Sequence, residues 1–510
     1  MENKNLLLAI ILSVGFLFFW STFVIPKYAP PAKLGTPAAP APLAAGQAGK
    51  SMLYPAHAVP LVNQPESILR DELNEIVLSP KGGGVHHWRL KLKGREVDLA
   101  YAPGVEPLPL TAFPDAVFTI RQHGREAVMQ TTLQNGLRIT QWLTLNPAGY
   151  LHDVSFLLEN PTSQPIQLKD WDWSWGPGLG TTVSEQKENS GLIRALSTVK
   201  MKANVLKPGD HPFGEWAAID NRYFLVAFLP ASPDLAGSLS LHVEGAKDKT
   251  ILKVRHNVTV PARGSLRVPY QIYAGPKGYT QLGHYHKGLE AAVDFGWFSS
   301  LGKLVLKSVY WLQSKTKNYG WAIIILTIIL QILMLPLTIK SFRATMAMKE
   351  LQPQIAALQK AYKSDPKRLN IEMMNLYKKS GTNPFGGCLP MLLQLPIFWA
   401  LFTTLRNAYE LQGAPFAGWI KDLSVADPFH VLPIVMGLGM LLQSRMSGAV
   451  TDPTQRQMMY LMPVIFTVMF WSFPSGLVLY WFTQSLVTMG IQWGMLRAHR
   501  PKQPTFELVK

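Results

Sequence analysis

Uncharged polar side chains form two stripes within apolar stretches near the carboxyl-terminal end of the chain. The residues are Thr327, Gln331 and Thr338 in 319–340, Tyr480, Gln484, Thr488 and Gln492 in 476–496, and Gln394 early in 389–409. Within each stripe the residues are four or seven positions apart, so they share one face of a helix. Hydroxyl and amide groups do not ionise here, so their chemistry is hydrogen bonding to a neighbouring helix or to water.

The two stripes fall at matching depths. Gln331 lies nine residues, about 13 Å, before residue 340, and Gln484 lies eight residues, about 12 Å, inside a stretch of opposite direction. Both are then near the middle of a bilayer, where two polar stripes can line one cavity. Spacing alone leaves two interpretations open: hydrogen bonds that hold helices together, or a water-filled groove.

Five nearly uncharged stretches, each about long enough to cross a bilayer, must position these side chains. They are 319–340, 389–409, 429–446, 458–473 and 476–496. A further apolar run, 6–25, exceeds the usual length of a signal-peptide core, which favours an uncleaved transmembrane anchor over residues 1–25. The sequence therefore predicts six transmembrane helices, the anchor and a five-helix core bundle.

Composition supports a multi-domain membrane protein. The 510 residues carry 49 Lys and Arg against 32 Asp and Glu, and 48% of them are hydrophobic. A basic surplus is also typical of nucleic-acid binding, but the long uncharged runs favour a membrane, and we expect no direct DNA binding. The single cysteine, Cys388, excludes an intrachain disulfide and a cysteine-based metal cluster, and no motif indicates a metal or cofactor.

The distribution of basic residues predicts the topology. Lys and Arg concentrate in 341–388, in 444–457 and in the short tail 498–510. The positive-inside rule places these segments in the cytoplasm. Both termini are then cytoplasmic, and the region between the anchor and the core lies on the other side of the membrane.

That outer region has a different pattern. Residues 26–60 are rich in Pro and Ala and predict a flexible linker. Residues 61–290 contain short alternating runs such as VFTIRQ and TILKVRHNVTV, which predict an antiparallel β-sandwich. In WDWSW, Trp171, Trp173 and Trp175 alternate with polar residues, which favours the aromatic core face of a strand.

Residues 298–313 predict an amphipathic helix that lies at the membrane interface. Leu301, Leu304, Val305 and Trp311 can share one face, while Lys303 and Lys307 lie on another.

Residues 341–388 predict a cytoplasmic helical hairpin. Leu351, Ile355, Leu358 and Tyr362, and then Leu369, Met373 and Leu376, recur at helical spacing. Between the two sets, Asp365-Pro366 suits an N-cap followed by a proline in the first turn. The basic residues of its surface are Lys349, Lys360, Lys363, Lys367, Arg368, Lys378 and Lys379.

Several long segments resemble the YidC membrane-protein insertase family, in the Gram-negative form with a large periplasmic domain. In the core they are MLPLTIKSF (334–342), NPFGGCLPMLLQLPIFWALF (383–402), TDPTQRQMMYLMPVIFT (451–467) and FPSGLVLYWFTQSLVT (473–488). Outside it they are WAAIDNRYFLVAF (216–228) and YAGPK (273–277). The resemblance covers nearly the whole chain.

The resemblance implies a membrane insertase and chaperone of the bacterial inner membrane, with no enzymatic activity. It implies a hydrophilic groove, open to lipid and cytoplasm, that receives nascent membrane proteins and releases their spans into the bilayer. Thr327, Gln331 and the pair Tyr480-Trp481 would belong to that groove, and the hairpin would receive substrate. The implied partners are nascent membrane proteins, membrane lipids, the ribosome through cytoplasmic loops, and the Sec translocon. The β-domain resembles a sugar-binding super-sandwich.

One position departs from the family pattern. The family usually has an arginine five residues before the proline of the MLPLT-like motif, and Gln331 occupies that position here. A glutamine keeps the groove polar but supplies no fixed charge.

Two other classes of protein are weighed against an insertase. A transporter commonly has ionisable residues inside its spans and internal repeats, and neither is visible in this sequence. A membrane-anchored glycan-active enzyme needs paired carboxylates in the β-domain, for which Asp170 and Asp172 are candidates.

Overall fold

The structure is a computed structural model that describes residues 67–92, 94–100, 108–147, 149–181, 192–382, 389–446 and 453–498. The predicted anchor, the linker and all but the first residue of the tail lie outside the described residues. The chain divides into two units between Val293 and Asp294. We describe each unit by itself.

The first unit is built from antiparallel strands. In chain order they are β1 (Ser67–Arg70), β2 (Asn74–Leu78), β3 (Val85–Leu92), β4 (Arg95–Asp98), β5 (Thr119–His123), β6 (Glu126–Thr132), β7 (Arg138–Thr144), β8 (Leu151–Glu159), β9 (Ile166–Trp175), β10 (Arg194–Val199), β11 (Lys202–Leu206), β12 (Gly209–Pro212), β13 (Ala217–Asp220), β14 (Phe224–Pro230), β15 (Leu239–Glu244), β16 (Ile251–Val260) and β17 (Ser265–Pro276). Two short helices, α1 (Pro233–Gly237) and α2 (Tyr279–Gly283), accompany them.

The strands form three sheets. One sheet has the order β1-β2-β3-β4, a nine-stranded sheet has the order β11-β10-β13-β14-β17-β8-β7-β6-β5, and a third has the order β12-β15-β16-β9. Trp173 of β9 contacts Phe228 and Tyr270 of the nine-stranded sheet, with ring centroids 4.7 and 5.1 Å apart. The third sheet therefore packs face to face on the second, and the predicted antiparallel β-sandwich is confirmed.

Tryptophans fill the core between the sheets. Trp171, Trp173 and Trp175 are all buried, which confirms the prediction that WDWSW is a core strand face. Trp175 also contacts Trp88 of the first sheet at 5.8 Å. Each buried indole removes a large apolar area from water, so this domain is stabilised by packing without a disulfide.

A buried ion network joins the two family-like segments of the β-domain. Asp220 is fully buried and binds Arg194 through two hydrogen bonds of 3.0 and 2.7 Å. Lys277 donates to the same carboxylate at 2.8 Å and also to the carbonyl of Asn221. A buried carboxylate needs such partners, so these motif residues have a structural role.

The second unit is helical. Its helices are α3 (Ser299–Thr316), α4 (Tyr319–Glu350), α5 (Gln352–Ala361), α6 (Pro366–Lys379), α7 (Leu389–Asn407), α8 (Val431–Met446), α9 (Pro453–Met469) and α10 (Ser475–Ala498). Short 3-10 turns lie at Tyr409–Leu411 and Phe470–Ser472. Helix α10 packs on α4 and α8, while α3 packs on α4 and α7.

Three sequence predictions need correction at the level of helix boundaries and faces. Helix α4 continues ten residues beyond 340, because no helix-breaking residue follows. Residues 341–350, which the sequence assigned to the hairpin, are therefore a continuation of the span. Helix α9 begins at Pro453, before the predicted start at 458, because the apolar criterion missed its polar first turn. In α3, Val305 faces the bundle but Leu304 and Trp311 are exposed, so the predicted shared face is wrong.

Length and hydropathy identify α4 as a helix able to cross a membrane, and among the described residues no other helix meets both criteria. Val431–Met446 and Met459–Ser472 are apolar but shorter. The predicted count of six spans is therefore not confirmed by this test and stays a prediction.

Candidate substrate groove

Helix α4 turns its polar stripe inward. Thr327 and Gln331 are buried, with only 6% of Gln331 exposed. Leu333, about 160° around the helix from Gln331, is 71% exposed, and Ile332, about 100° around, is 60% exposed. Apolar side chains outside and polar ones inside are the reverse of a soluble helix, and suit a helix with one face to lipid and one to a polar interior.

Gln394 and the α10 stripe meet directly. The Nε2 atom of Gln394 in α7 donates to the hydroxyl oxygen of Tyr480 at 2.9 Å and lies 3.4 Å from Oε1 of Gln484. The side chains of these three residues, here called the polar trio, therefore connect α7 to α10. Such a bond between helices contributes about 0.6 kcal/mol on average in a membrane bundle.

The remaining predicted side chains do not join the polar trio. Thr327 donates to the carbonyl of Ile323 at 2.7 Å, and Thr338 donates to that of Met334 at 3.0 Å, so each hydroxyl is satisfied by its own helix. Thr488 and Gln492 are half-buried farther along α10.

One buried amide oxygen in this region has no hydrogen-bond partner among the described residues: Oε1 of Gln492. The amide of Gln331 is buried as well, with 6% of the residue exposed. Buried amide groups usually bind protein groups or water, so the Oε1 atom of Gln492 is suited to accept a hydrogen bond from water or from a polar chain.

Trp481 lies in an aromatic cluster rather than in the polar trio. Its ring centroid is 4.9 Å from that of Phe398, 5.6 Å from Phe466 and 5.2 Å from Phe470. The cluster ties α7, α9 and α10 together. Trp481 and Tyr480 are adjacent in sequence, but Trp481 contacts aromatic rings whereas Tyr480 contacts the amide of Gln394.

The loop 408–430 is bound to the starts of three helices. Asp427 is buried and accepts hydrogen bonds from the indole of Trp419 at 2.9 Å and from the amide of Leu432 at 2.8 Å, which caps α8. The amide of Ser475, at the start of α10, donates to Val425 at 2.7 Å. Asn318 binds the carbonyl of Phe416 at 3.0 Å beside the start of α4. These bonds fix the loop to the first turns of α4, α8 and α10.

Sequence reasoning missed two features of the region. Thr483 is buried and donates to the carbonyl of Leu479 at 2.8 Å, but it lies one residue off the four-residue spacing of the α10 stripe and so gives no periodic signal of its own. The capping role of Asp427 could have been predicted, because an Asp just before an apolar helical stretch is a common N-terminal signal.

The basic residues of the hairpin all lie at the surface. Lys349, Lys360, Lys363, Lys367, Lys378 and Lys379 are exposed. Arg368 is also exposed and stacks over Tyr362 at 5.5 Å. Asp365 accepts a hydrogen bond from the amide of Arg368 at 3.1 Å, which confirms it as the N-cap of α6.

Of the two carboxylates that a glycan-active enzyme would use, the structure describes only one. Asp172 is bound by Arg255 at 3.1 Å, and the side chain of Asp170 lies outside the described residues.

A cavity of about 540 Å³ elsewhere on the nine-stranded sheet is lined by Glu126, Trp142, Asp153 and Arg267 among others. Within the described ranges, no three His, Cys, Asp or Glu residues could hold a metal ion.

Fold and site define a class: a helical membrane unit with an inward polar face, joined to a β-sandwich domain. Residues 311–502 match the family described as 60Kd inner membrane protein, and residues 111–308 match the YidC periplasmic domain. The membrane protein insertase YidC of Endomicrobium trichonymphae is 44% identical over 447 residues, which cover 84% of each chain. That of Syntrophus aciditrophicus (strain SB) is 32% identical over 543 residues, covering 96% of this chain and 99% of the relative.

An active YidC insertase crystal structure, with the first transmembrane domain resolved, aligns with a TM-score of 0.41 and 21% identity, over 87% of this chain and 95% of that one. From the family models and the sequence relatives, the chain belongs to the YidC membrane protein insertase family. It is accordingly an insertase of the inner membrane, with a periplasmic β-domain and with nascent membrane proteins as substrates.

Proposed function

We propose that α4, α7 and α10 line a hydrated groove in which a nascent transmembrane segment moves from the cytoplasm into lipid. The observation that carries the proposal is the inward polar face: Gln331 is buried on α4, whereas the next two residues, Ile332 and Leu333, are exposed. The polar trio supports it, because it places further amide and hydroxyl groups on α7 and α10.

The groove lowers the cost of moving the short polar tail of a substrate. An unsatisfied polar group in hydrocarbon costs several kcal/mol, and water or amides in the groove offset part of that cost. The apolar segment then gains free energy when it leaves the groove for lipid, so no nucleotide hydrolysis and no catalytic residue is needed. Asp427 and the loop 408–430 keep the outer end closed.

The proposed topology has six spans, with both termini and the hairpin in the cytoplasm. It rests on the positions of the Lys and Arg residues and on the apolar stretches of the sequence. The hairpin and the loop 444–457 would contact the ribosome, and the protein would work alone or beside the Sec translocon.

Photocrosslinking tests the groove. A photoreactive residue at position 331 should crosslink to the transmembrane segment of a ribosome-stalled nascent chain. Position 333 is the matched control, since Leu333 lies two residues along the same helix and is exposed on its apolar side. Equal crosslinking at 331 and 333 would contradict the proposal.

A further inference from the structure

Helix α6 has a basic face that the packing of the hairpin leaves open. At 100° per residue, one side of the helix carries Lys367, Arg368, Ile371, Met374, Asn375 and Lys378. On this basic face Ile371 is 60% exposed and Met374 is 51% exposed. The acidic residue of α6, Glu372, lies about 100° away from Ile371 around the helix.

The other side of α6 is already occupied. Leu369, Met373 and Leu376 are half-buried, and α6 packs on α5, in which Ile355 is buried. Ile371 and Met374 therefore do not serve the hairpin seam. Cations on both sides of two exposed apolar side chains are typical of a helix that lies on an anionic lipid surface.

The length of the chain keeps this face near the membrane. Helix α6 ends at Lys379 and α7 begins at Leu389. The nine residues between them can span at most roughly 30 Å. The carboxyl-terminal end of α6, with Lys378, is therefore tethered close to the point where α7 enters the bundle.

We propose that the basic face of α6 docks on the anionic phospholipids of the cytoplasmic leaflet. Lys367, Arg368 and Lys378 contact the phosphates, and Ile371 and Met374 enter the boundary between headgroups and acyl chains. RNA would also attract the cations but would leave the two apolar side chains in water, so lipid fits the face better. The inference rests on the proposed cytoplasmic position of the hairpin. It adds to the proposed function a state in which the hairpin is bound to the membrane surface.

Fluorescence quenching in vesicles tests the docking. The full-length protein, with Cys388→Ser to remove its one native cysteine, receives a single labelled cysteine at 371, at 374 or at the control position 380. Ser380 at the end of α6 is exposed but lies about 180° around the helix from Ile371 and about 120° from Met374. In vesicles of phosphatidylcholine with phosphatidylglycerol, nitroxide lipids should quench the label at 371 and 374 more strongly than at 380. High salt should weaken the quenching.

Charge variants sharpen the test. Lys367→Gln combined with Lys378→Gln should lower the ratio of docked to undocked protein by roughly tenfold or more. Lys360→Gln combined with Lys363→Gln removes the same charge from outside α6 and should have little effect. Equal quenching at 371, 374 and 380 would overturn the proposal, as would equal quenching in pure phosphatidylcholine. Protection of the labels at 371 and 374 from water only when ribosomes are added would also overturn it.

Insertion is measured in the same vesicles with unlabelled protein. Docking without insertion would contradict the groove proposal alone. Insertion without docking would contradict the inference about α6 alone.

Discussion

The two units of this protein bury and expose opposite kinds of side chain. The β-domain places its largest aromatic side chains inside, such as Trp171 and Trp173, and pairs the buried Asp220 with Arg194 and Lys277. The helical unit exposes large apolar residues such as Leu333 and buries an uncharged amide, that of Gln331. The first pattern suits water and the second suits lipid around a polar interior. Insertion should therefore depend on the helical unit and its hairpin.

The largest expected effect comes from deleting one part or the other. Removal of the hairpin between 351 and 379 should lower insertion by roughly tenfold or more. The substrate loses the surface that receives it, and a process slows when its components are no longer held in position. Replacement of residues 67–293 by a flexible linker should leave most insertion activity, measured by protease protection of a reporter substrate. Full activity without the hairpin, or none without the β-domain, would break the comparison.

Acid should weaken the β-domain. The Nδ1–H group of His256 donates to the carbonyl of Trp171 at 3.1 Å, and Nε2 accepts from the hydroxyl of Tyr270 at 2.7 Å. Burial lowers the pKa of His256 to about 4 from 6.5. Burial likewise lowers the pKa of His152 to about 4.

Because the unfolded chain binds protons first, stability is fully present above about pH 6.5 and is lost as the pH falls towards 4. Each histidine should cost about 3 kcal/mol over that window, an order-of-magnitude figure. In the full-length protein, the hydrogen-exchange protection factors of β9 and β16 peptides, corrected for the intrinsic pH dependence of exchange, should fall below pH 6. His256→Gln should reduce this pH dependence. Protection factors in these strands that stay constant between pH 7 and 5 would contradict the prediction.

Substitutions at position 331 should have an intermediate effect. Gln331→Leu removes a polar group from the groove and should impair insertion by about 1–2 kcal/mol, the scale of one lost polar partner. Gln331→Ser is the matched polar control and should impair it less. Gln331→Arg should be tolerated and should help substrates with acidic tails, although an arginine at mid-bilayer costs about 2.5–3.5 kcal/mol on insertion scales.

Insertion rates for paired substrates with neutral and acidic tails check this order. If Gln331→Leu inserts every substrate normally while Gln331→Arg abolishes insertion, position 331 is a packing position and the groove mechanism fails there.

The smallest expected effect is at the polar trio. A double-mutant cycle with Gln394→Leu and Tyr480→Phe should show a coupling of about 0.5–1 kcal/mol in the unfolding of the helical unit in mixed micelles. Gln394→Leu combined with Thr338→Val is a control pair whose two side chains share no hydrogen bond. No coupling between 394 and 480 would mean that the 2.9 Å contact does not hold α7 to α10.

Periodicity in the sequence predicts strands and helices better than it predicts which side chains contact each other. Alternation along WDWSW was enough to identify a buried strand face, and Asp365-Pro366 was enough to place a helix cap, because both signals are local. The contact between Gln394 and Tyr480 joins residues far apart in the chain, and no local pattern encodes it. The surroundings of Trp481 depend on three other aromatic side chains in the same way.

The faces of α3 show a second limit. Spacing allowed Leu304, Val305 and Trp311 to share a face, but the structure buries Val305 and exposes the other two. In a membrane protein both the bundle side and the lipid side are apolar, so hydrophobic periodicity does not distinguish them.

Thiol accessibility tests the hydrated groove most directly. Single cysteines at 331, 484 and 488, in a Cys388→Ser background, should react with a membrane-impermeant reagent added from the cytoplasmic side. Cysteines at 332 and 333, on the exposed apolar side of α4, should react far more slowly, because lipid excludes the reagent. A cysteine at 327 should be slower than one at 331, since Thr327 is packed against its own helix. Reaction at 331, 484 and 488 no faster than at 333 would contradict the groove and leave the polar stripes as contacts between helices.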